Sequence, residues 1–302
     1  MSTETTDPAD RPDDAARPLS ERDGAGALVL AGTPIGNTDD ASARLLRLLE
    51  TADVVAAEDT RRLHGLAQRA GIHVSGRVVS LHEHNEAERS DDVLDVVAEG
   101  GTVVVVTDAG MPAVSDPGYR IVARAVDRGL RVTAAPGPSA VLTALALSGL
   151  PTDRFAFEGF LPRKPGERSR VLAGLARERR TTIYFEAPHR VVDVLAAMAD
   201  AFGSDRRAAV CRELTKTYEE VVRGPLGELV GRAHDDPFRG EICIVVDGAP
   251  AERSADPVDL VPEVLARVDA GERLKTVVAD VAETAGLPKR DLYAAALAAR
   301  KA

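Results

Sequence analysis

The fold of this chain is decided by the stretch TVVVVTDAGMPAVSDPG, which occupies residues 102–118. Its four consecutive valines, Val103–Val106, would place apolar side chains on both faces of a strand. A strand needs this pattern when helices cover both sides of its sheet. The segment Thr107–Gly118 then holds two prolines, two glycines and two aspartates. It is longer than the roughly 2–6 residues of an ordinary strand-to-helix connection, and long connections at the carboxyl edge of a sheet are usually functional. The stretch therefore predicts an α/β sheet with a binding site at the end of this strand.

The same alternation of strand-like and helix-like patterns continues on both sides of this stretch. In the first half, strands are predicted at Leu28–Ala31, Asp53–Ala57, Arg77–Ser80, Thr102–Thr107 and Arg131–Ala135, and helices at Thr60–Ala70, Glu86–Glu99 and Tyr119–Arg128. A further helix carries Leu45 to Leu49 and is predicted to be capped by Thr38 or Asp39. In the second half, strands are predicted at Phe155–Phe160, Thr181–Glu186 and Ala208–Arg212, followed by a hairpin-like pair, Thr217–Arg223 and Glu241–Asp247.

Breaks in these patterns divide the chain. Residues 1–25 hold seven acids, three arginines and almost no large apolar side chain, which predicts a disordered acidic tail. An N-terminal α/β domain is expected at 26–137 and a second α/β domain, with mixed strand directions, at 138–248. A linker at 249–257 precedes a helical segment at 258–302, in which Gly286-Leu-Pro288 separates the last two of three short helices in the manner of a helix-turn-helix.

Composition limits the functional classes. The 302 residues are 44% hydrophobic and 28% charged, and no apolar run is long enough to serve as a signal peptide or to span a membrane, so we expect a cytoplasmic protein that enters no membrane. The net charge of −10 does not by itself suggest a nucleic-acid partner, but residues 161–180 hold seven basic and two acidic side chains. Cys211 and Cys243 lie in β-branched runs and are expected to be buried thiols, and no metal site is expected.

Polar groups follow several of the predicted strands. The segment Gly32–Asn37 forms a glycine-containing loop after the first strand, although it matches no nucleotide-binding fingerprint. Asp108 directly follows the valine strand, where it can accept hydrogen bonds from a hydroxyl or amine of a ligand, and Gly110 allows that ligand to approach the backbone. His82 and His84 close the third strand, but no third metal ligand accompanies them. Charged groups at so many strand ends predict a site at that edge.

Six motifs occur in order along the chain and together resemble a known family. They are GTPIGN at 32–37, AEDTRR at 57–62, TDAGMPAVSDPG at 107–118, PGPSA at 136–140, EAPHR at 186–190 and RELTK at 212–216. They resemble the ribosomal RNA small subunit methyltransferase I family of the tetrapyrrole methylase superfamily, and the resemblance extends to the helical end. It implies two α/β domains of the tetrapyrrole methylase type with S-adenosylmethionine in the cleft between them, and a homodimer. It also implies methyl transfer to the ribose 2′-oxygen of one cytidine in the decoding region of 16S RNA. We expect this RNA as the partner within the small ribosomal subunit, although the sequence does not choose between free RNA and the assembled subunit.

The resemblance also implies site residues. The cofactor residues that it implies are Gly32, Pro34, Gly36, Asp108, Met111, Ser139, Ala140, Tyr184, Glu186 and Leu214. A ribose hydroxyl is a poor nucleophile, so the reaction calls for alignment and for a base. The candidates for the base or for positioning are Glu58, His82, Glu83 and His84, among which the sequence does not choose, and a mechanism without a base stays open.

Two other functions stay open from the sequence. A related enzyme that methylates a corrin or porphyrin would share the cofactor site, and an RNA-binding protein without catalytic activity would bind RNA but form no product. The candidate RNA-binding residues favour RNA over a tetrapyrrole. They are Arg163, Lys164, Arg168 and Arg170 in the basic segment, and Lys289 and Arg290 at the start of the last predicted helix.

Overall fold

A computed structural model describes residues 26–82, 84–250 and 256–300 of the chain. The predicted tail at 1–25, the candidate Glu83, most of the predicted linker and the last two residues lie outside the described residues. The chain divides into two compact units, of which the first ends at Asp247 and the second begins at Gly248. Both α/β sheets belong to the first unit.

The first sheet is entirely parallel and has the strand order β3-β2-β4-β1-β5. Its strands are β1 (Ala27–Ala31), β2 (Val54–Ala57), β3 (Arg77–Ser80), β4 (Thr102–Val106) and β5 (Val132–Ala135). Every residue of β4 is buried, which agrees with a run that is apolar on both faces. Because β4 lies beside β1 and not beside β3, the connections from β1 and β4 leave the sheet in opposite directions, and a crevice forms at their carboxyl ends.

Four helices cover the first sheet: α1 (Ala43–Thr51), α2 (Thr60–Ala70), α3 (Glu86–Ala98) and α4 (Tyr119–Asp127). Leucines of α1 and α2, such as Leu45 and Leu63, pack on one face, while Leu94 of α3 and Ile121 of α4 pack on the other. The expected cap of the first helix was wrong. Thr38 and Asp39 lie in a separate 3-10 turn, the chain is extended again at Ala41, and Ser42 caps α1 by accepting a hydrogen bond from Leu45 N at 3.0 Å.

The second sheet has the order β6-β7-β10-β8-β9 and mixes parallel and antiparallel pairs. Its strands are β6 (Phe155–Phe160), β7 (Thr181–Glu186), β8 (Arg207–Arg212), β9 (Glu220–Pro225) and β10 (Ile242–Val246). The expected hairpin between the last two strands was wrong, because β9 pairs with β8 and β10 pairs with β7 and β8. Burial explains the difference. All five residues of β10 are buried and require a central position, whereas β9 has no fully buried residue and lies at the edge.

The helices of the second sheet are α5 (Ala140–Ser148), α6 (Pro165–Leu175), α7 (Val191–Phe202) and α8 (Leu226–Asp235). Side chains of α6, α7 and α8 form one apolar cluster on one face of the sheet. On the other face, α5 packs in a cluster that also contains Ile35 from the loop after β1 and Leu214 from the loop after β8. The two sheets therefore share apolar packing where their loops meet.

The second unit contains α9 (Val261–Asp269), α10 (Leu274–Thr284) and α11 (Lys289–Ala299). These helices bury an apolar core of their own. Each helix contributes to it, for example through Val264, Val277 and Leu292. Gly286 has a φ of +65° in the turn between the last two helices, a conformation that glycine adopts without steric cost. Among the residues that the structure describes, no helix is long and apolar enough to cross a membrane.

Candidate active site

The loops that follow β1 and β4 are joined at the carboxyl edge of the first sheet. Thr33 N donates to the carbonyl oxygen of Gly110 at 2.9 Å, and Gly110 N donates to the carbonyl oxygen of Thr33 at 3.1 Å. The Thr33 hydroxyl also donates to the carbonyl oxygen of Thr107 at 3.1 Å. The long segment predicted to be functional, Thr107–Gly118, is thus anchored to the glycine-containing loop at its start.

Gly32 allows three segments to converge at this point. A Cβ atom at Gly32 would lie 2.7 Å from Met111 Sδ and 2.8 Å from the Cα atom of Gly137. Contacts of that length exclude any side chain larger than hydrogen. Gly32 therefore permits the close approach of these backbone segments, and it lines neither of the two cavities described below.

The backbone is strained in two loops that border the same space. Ala113 and Ser115 have φ values of +70° and +64°, and Glu213 and Thr215 have φ values of +51° and +65°. Residues other than glycine rarely adopt this conformation, and where they do the surrounding structure has to hold them in it. Asn37 N donates to the Thr215 hydroxyl at 3.1 Å, which connects the β1 loop to the strained segment after β8.

The first cavity, of about 390 Å³, lies between these loops and the second sheet. Apolar side chains form most of its wall: Ile35, Val114, Val141, Phe160, Phe185 and Leu214. Five of the residues expected to bind the cofactor line it: Met111, Ser139, Ala140, Glu186 and Leu214. The structure thus brings side chains from four separate motifs of the sequence into one enclosure.

Glu186 is a buried carboxylate in the wall of the first cavity. Its Oε1 accepts a hydrogen bond from Ala187 N at 2.8 Å and pairs with Arg190 Nε at 3.3 Å. Its Oε2 has no hydrogen-bond partner among the described residues. Burial raises the pKa of Glu186, and this outweighs the hydrogen bond from Ala187 and the nearby cations, which lower it. A buried oxygen without a partner is costly, so this atom is available to a ligand that donates a hydrogen bond.

Tyr184 lies on the opposite face of its strand from the first cavity. Its side chain is buried in the cluster under α6, α7 and α8, and burial raises the pKa of its hydroxyl to about 12. Side chains alternate along a strand, so Phe185 reaches the cavity while the Tyr184 side chain does not; Glu186, the last residue of β7, also lines the cavity. Phe185 therefore lines the cavity between two of the residues expected to bind the cofactor, Tyr184 and Glu186.

A second cavity, of about 660 Å³, lies over the ends of β2 and β4 and adjoins the first. Three residues expected to bind the cofactor, Pro34, Gly36 and Asp108, line this cavity and not the first. Four basic side chains also line it: Arg61, Arg62, Arg69 and Lys216. The two cavities share three lining residues, Ile35, Ala109 and Glu241.

Three carboxylates lie close together where the cavities adjoin. Asp108 Oδ1 accepts a hydrogen bond from Asp59 N at 3.2 Å, and Glu58 Oε2 accepts one from Asp108 N at 3.2 Å. Burial, more than the neighbouring carboxylates, raises the pKa of Glu58. Burial followed by the negative charges of Glu58 and Asp108 raises the pKa of Asp116 to about 7. The sequence analysis did not select Asp116, although its place in the twelve-residue segment was a signal.

The comparisons with known proteins identify the family of this chain. Residues 27–230 match the family model described as tetrapyrrole (corrin/porphyrin) methylases. The chain is 50% identical over 277 residues to the ribosomal RNA small subunit methyltransferase I of Mycobacterium tuberculosis (strain ATCC 25618 / H37Rv), covering 91% of this chain and 96% of the relative. The chain belongs to the ribosomal RNA small subunit methyltransferase I family.

A further family member and two solved structures are also similar to this chain. The chain is 42% identical over 281 residues to the protein from Halalkalibacterium halodurans, covering 90% of this chain and 95% of the relative. Among solved structures, a cobalt precorrin-4 methyltransferase matches with a TM-score of 0.55 and 22% identity, covering 74% of this chain and 94% of that one. A diphthine synthase matches with a TM-score of 0.55 and 20% identity, covering 74% and 90%. These structures show that the methyltransferase I chain has the fold of the tetrapyrrole methylases.

The histidines expected near the site of this family member lie apart from both cavities. His82 and His84 have ring centroids 6.0 Å apart, and neither residue lines the first or the second cavity. The Nδ1 atom of His82 is buried without a partner in the described part of the chain. Glu83 lies outside the described residues, and of the other three candidate bases only Glu58 lines one of these two cavities. Within residues 26–82, 84–250 and 256–300, no group of His, Cys, Asp and Glu side chains is arranged to hold a metal ion.

The residues predicted to bind RNA in this methyltransferase I chain are divided by the structure. Arg163, Lys164 and Arg170 are exposed at or near α6, whereas Arg168 is buried. In the second unit, Lys289 Nζ pairs with Glu283 at 3.6 Å, and Arg290, with a side chain 91% exposed, pairs with Asp291 at 3.1 Å. Helical spacing accounts for the burial of Arg168. It precedes the buried Leu172 by four residues and therefore lies on the same side of α6.

Proposed function

We propose that this chain transfers a methyl group from S-adenosylmethionine to the ribose 2′-oxygen of a cytidine in the decoding region of 16S RNA. Its sequence identity to methyltransferase I relatives over nine-tenths of the chain supports the substrate class. The observation that carries the proposal is the pair of adjoining cavities, one mainly apolar and one strongly charged. A two-substrate reaction needs two such sites with a shared border.

The chemistry of the first cavity fits S-adenosylmethionine. Its volume lies in the range of about 300–1,000 Å³ that small-molecule sites occupy, and its apolar wall suits an adenine ring. The unpartnered Oε2 of Glu186 suits a hydroxyl or ammonium donor. The carboxyl of Asp116 also lines this cavity and, when ionised, provides negative charge for a sulfonium cation. Bound there, S-adenosylmethionine supplies the electrophilic methyl group.

The residues of the chain then have to align a poor nucleophile. Alignment of the 2′-hydroxyl can contribute about 7–11 kcal/mol, and a base contributes about 10²–10⁴-fold in rate. Glu58 is the candidate base that lines the second cavity, and Asp116 lines the first beside the shared border. Burial raises the pKa of both carboxyls, which makes them better proton acceptors than exposed carboxylates.

We further propose that the chain acts as a homodimer and modifies RNA within the small ribosomal subunit. Exposed apolar side chains on α4 and α5, namely Tyr119, Val126 and Leu142, support an interface on these helices. Light scattering at micromolar concentration is expected to give twice the mass of the chain. Leu142→Glu and Val126→Glu are expected to lower that mass.

The decisive experiment incubates the chain and labelled S-adenosylmethionine with small ribosomal subunits from a strain that lacks this activity. Mass spectrometry of 16S RNA fragments is expected to find one added methyl group on the ribose of a single cytidine. Subunits that bind the chain but acquire no label would support an RNA-binding protein without catalytic activity. A methyl group on a base, or only on an added tetrapyrrole, would contradict the proposed reaction.

A further inference from the structure

We propose that the second cavity is the binding site of the target nucleotide, and that Arg62 and Arg69 of α2 bind a phosphate beside it. This inference rests on the proposed function, because it assigns the RNA substrate of that reaction to a place on the chain. The predicted RNA contacts at α6 and α11 lie outside this cavity.

The position of the cavity suits a group that has to react with one held in the first cavity. Ile35, Ala109 and Glu241 line both spaces, so an atom at this border can approach the contents of either side. The volume of about 660 Å³ lies within the range for small-molecule sites and leaves room for one nucleotide. Enzymes that modify a single nucleotide commonly draw it out of its strand into such a pocket.

The charged side chains that line the second cavity include an acidic group at the sheet edge and a basic group on α2. Glu58 and Asp108 directly follow β2 and β4, at the sheet edge. Arg62 and Arg69 are seven residues apart on α2, which is two helical turns and therefore one face. Gly65 lies between them and also lines the cavity, and its lack of a side chain keeps the space beside α2 open.

The hydrogen-bond partners distinguish Arg62 and Arg69 from the other two cations. Arg61 is held by Asp59 at 2.7 Å, and Lys216 is held between Glu213 and Glu241 at 2.9 Å each. In contrast, Arg62 Nε pairs with Asp108 Oδ2 at the longer distance of 3.3 Å, and the Arg62 side chain is 64% exposed. Arg69 Nε donates to the Thr38 hydroxyl at 3.3 Å, and among the described residues Arg69 has no carboxylate partner.

The acidic group suits the ribose or base of a nucleotide, and the basic group suits its phosphate. Carboxylates accept hydrogen bonds from ribose hydroxyls or from the amino group of cytosine, and a planar guanidinium binds phosphate oxygens through two parallel N–H groups. A free phosphate would use the arginines and leave the carboxylates without a role. A tetrapyrrole would bring its own carboxylates against Glu58 and Asp108 and would be repelled.

The test compares Arg69→Glu with Arg77→Glu. Arg77 is an exposed arginine at the first residue of β3, at the opposite edge of the same sheet, and serves as a matched control. With unmodified small ribosomal subunits as the probe, we expect Arg69→Glu to raise KM and lower kcat/KM about tenfold or more, as loss of a charged hydrogen bond implies. Arg69→Lys should recover part of this loss. The affinity for S-adenosylmethionine should equal that of the unmodified chain.

Filter binding of the same subunits supplies a readout that does not depend on methylation. The slope of the logarithm of the binding constant against the logarithm of the salt concentration should become smaller by about one for Arg69→Glu. It should not change for Arg77→Glu. Equal slopes and equal kinetic constants for the two variants would overturn the inference, as would loss of S-adenosylmethionine binding in Arg69→Glu. If the unmodified chain binds subunits but does not methylate them, the proposed function fails, and the slopes still decide the role of Arg69.

Discussion

At the residue scale, Gly32 and Gly137 decide whether the segments of the site can meet. A Cβ at Gly137 would lie 2.6 Å from the carbonyl oxygen of Gly32, so the two glycines exclude side chains from each other's position. The same contact brings Met111 against the end of β1. The geometry of the first cavity therefore depends on two residues that offer no functional group.

Gly32→Ala is expected to lower the free energy of unfolding by about 1–3 kcal/mol, because overpacking forces neighbouring backbone to move. Gly231→Ala is the matched control, since Gly231 is an exposed position of α8 with no atom within 4 Å of the added methyl group. Alanine there should stabilise the helix by up to about 1 kcal/mol. Urea unfolding measures both effects, and equal stability of the two variants would contradict the crowding argument.

Asp116 carries a prediction about pH. Its pKa is about 7 in the folded chain and 3.8 as the ordinary value, so the folded state holds the proton more tightly than the unfolded state. The contribution of this group to the free energy of unfolding is therefore fully present below about pH 4 and is lost as the pH rises through 7.

Asp116→Asn removes this titration and should increase stability, relative to the unmodified chain, more at pH 8 than at pH 5. Chemical unfolding at the two pH values measures the difference. Asp127→Asn, at an exposed position of α4, is the control. The same change in stability at both pH values for Asp116→Asn would show that burial does not shift this carboxyl.

At the element scale, α6 carries basic residues with different environments. Arg163, Lys164 and Arg170 are exposed at its start and outer face, while Arg168 is buried and its Nε has no partner among the residues described. The positive charge of Arg168 lowers the pKa of Glu186. This buried location favours a structural role for Arg168, between α6 and the rest of the protein, over contact with RNA.

Reversing the three exposed charges with Arg163→Glu, Lys164→Glu and Arg170→Glu is expected to weaken binding to small ribosomal subunits and to flatten its salt dependence. The affinity for S-adenosylmethionine should not change, because none of the three lines the first cavity. The control reverses three exposed arginines elsewhere, Arg47, Arg77 and Arg154. If the two triple variants have the same salt slope, α6 does not bind RNA.

At the scale of the whole molecule, the boundary after Asp247 separates two units with their own apolar cores. Removal of the second unit cuts no strand, since β10 ends at Val246. None of the residues that line the two cavities lies beyond Cys243. The walls of the two cavities are therefore formed by residues of the first unit.

Truncation after Asp247 is expected to leave the affinity for S-adenosylmethionine near that of the full chain. It should raise the concentration of small subunits needed for half-maximal methylation, because Lys289 and Arg290 are lost with the helices. Calorimetry and steady-state kinetics on the two forms measure these quantities. Unchanged kinetics would contradict a role in docking, and loss of cofactor binding would indicate a role in packing.

The amino-acid sequence by itself determined the elements and the edge at which the site lies. Strand and helix patterns depend on neighbouring residues, so β3, α2 and β7 have the predicted bounds, and motifs at strand ends predicted which loops would meet. The family could also be recognised from its six motifs. Local pattern fails where two segments compete for one place, as with the cap of α1 and the pairing of β9.

Only the tertiary structure decided how the site is divided. Asp108 and Met111 are three residues apart in the sequence, yet they line different cavities, and the chain turns between them at Gly110, whose φ is +81°. Arg168 and Arg170 differ by two positions and have opposite exposure. Burial and the distance between charges depend on residues far apart in the chain, and for this reason the partners of Arg62 and the pKa of Asp116 follow from the packed structure and not from the local sequence.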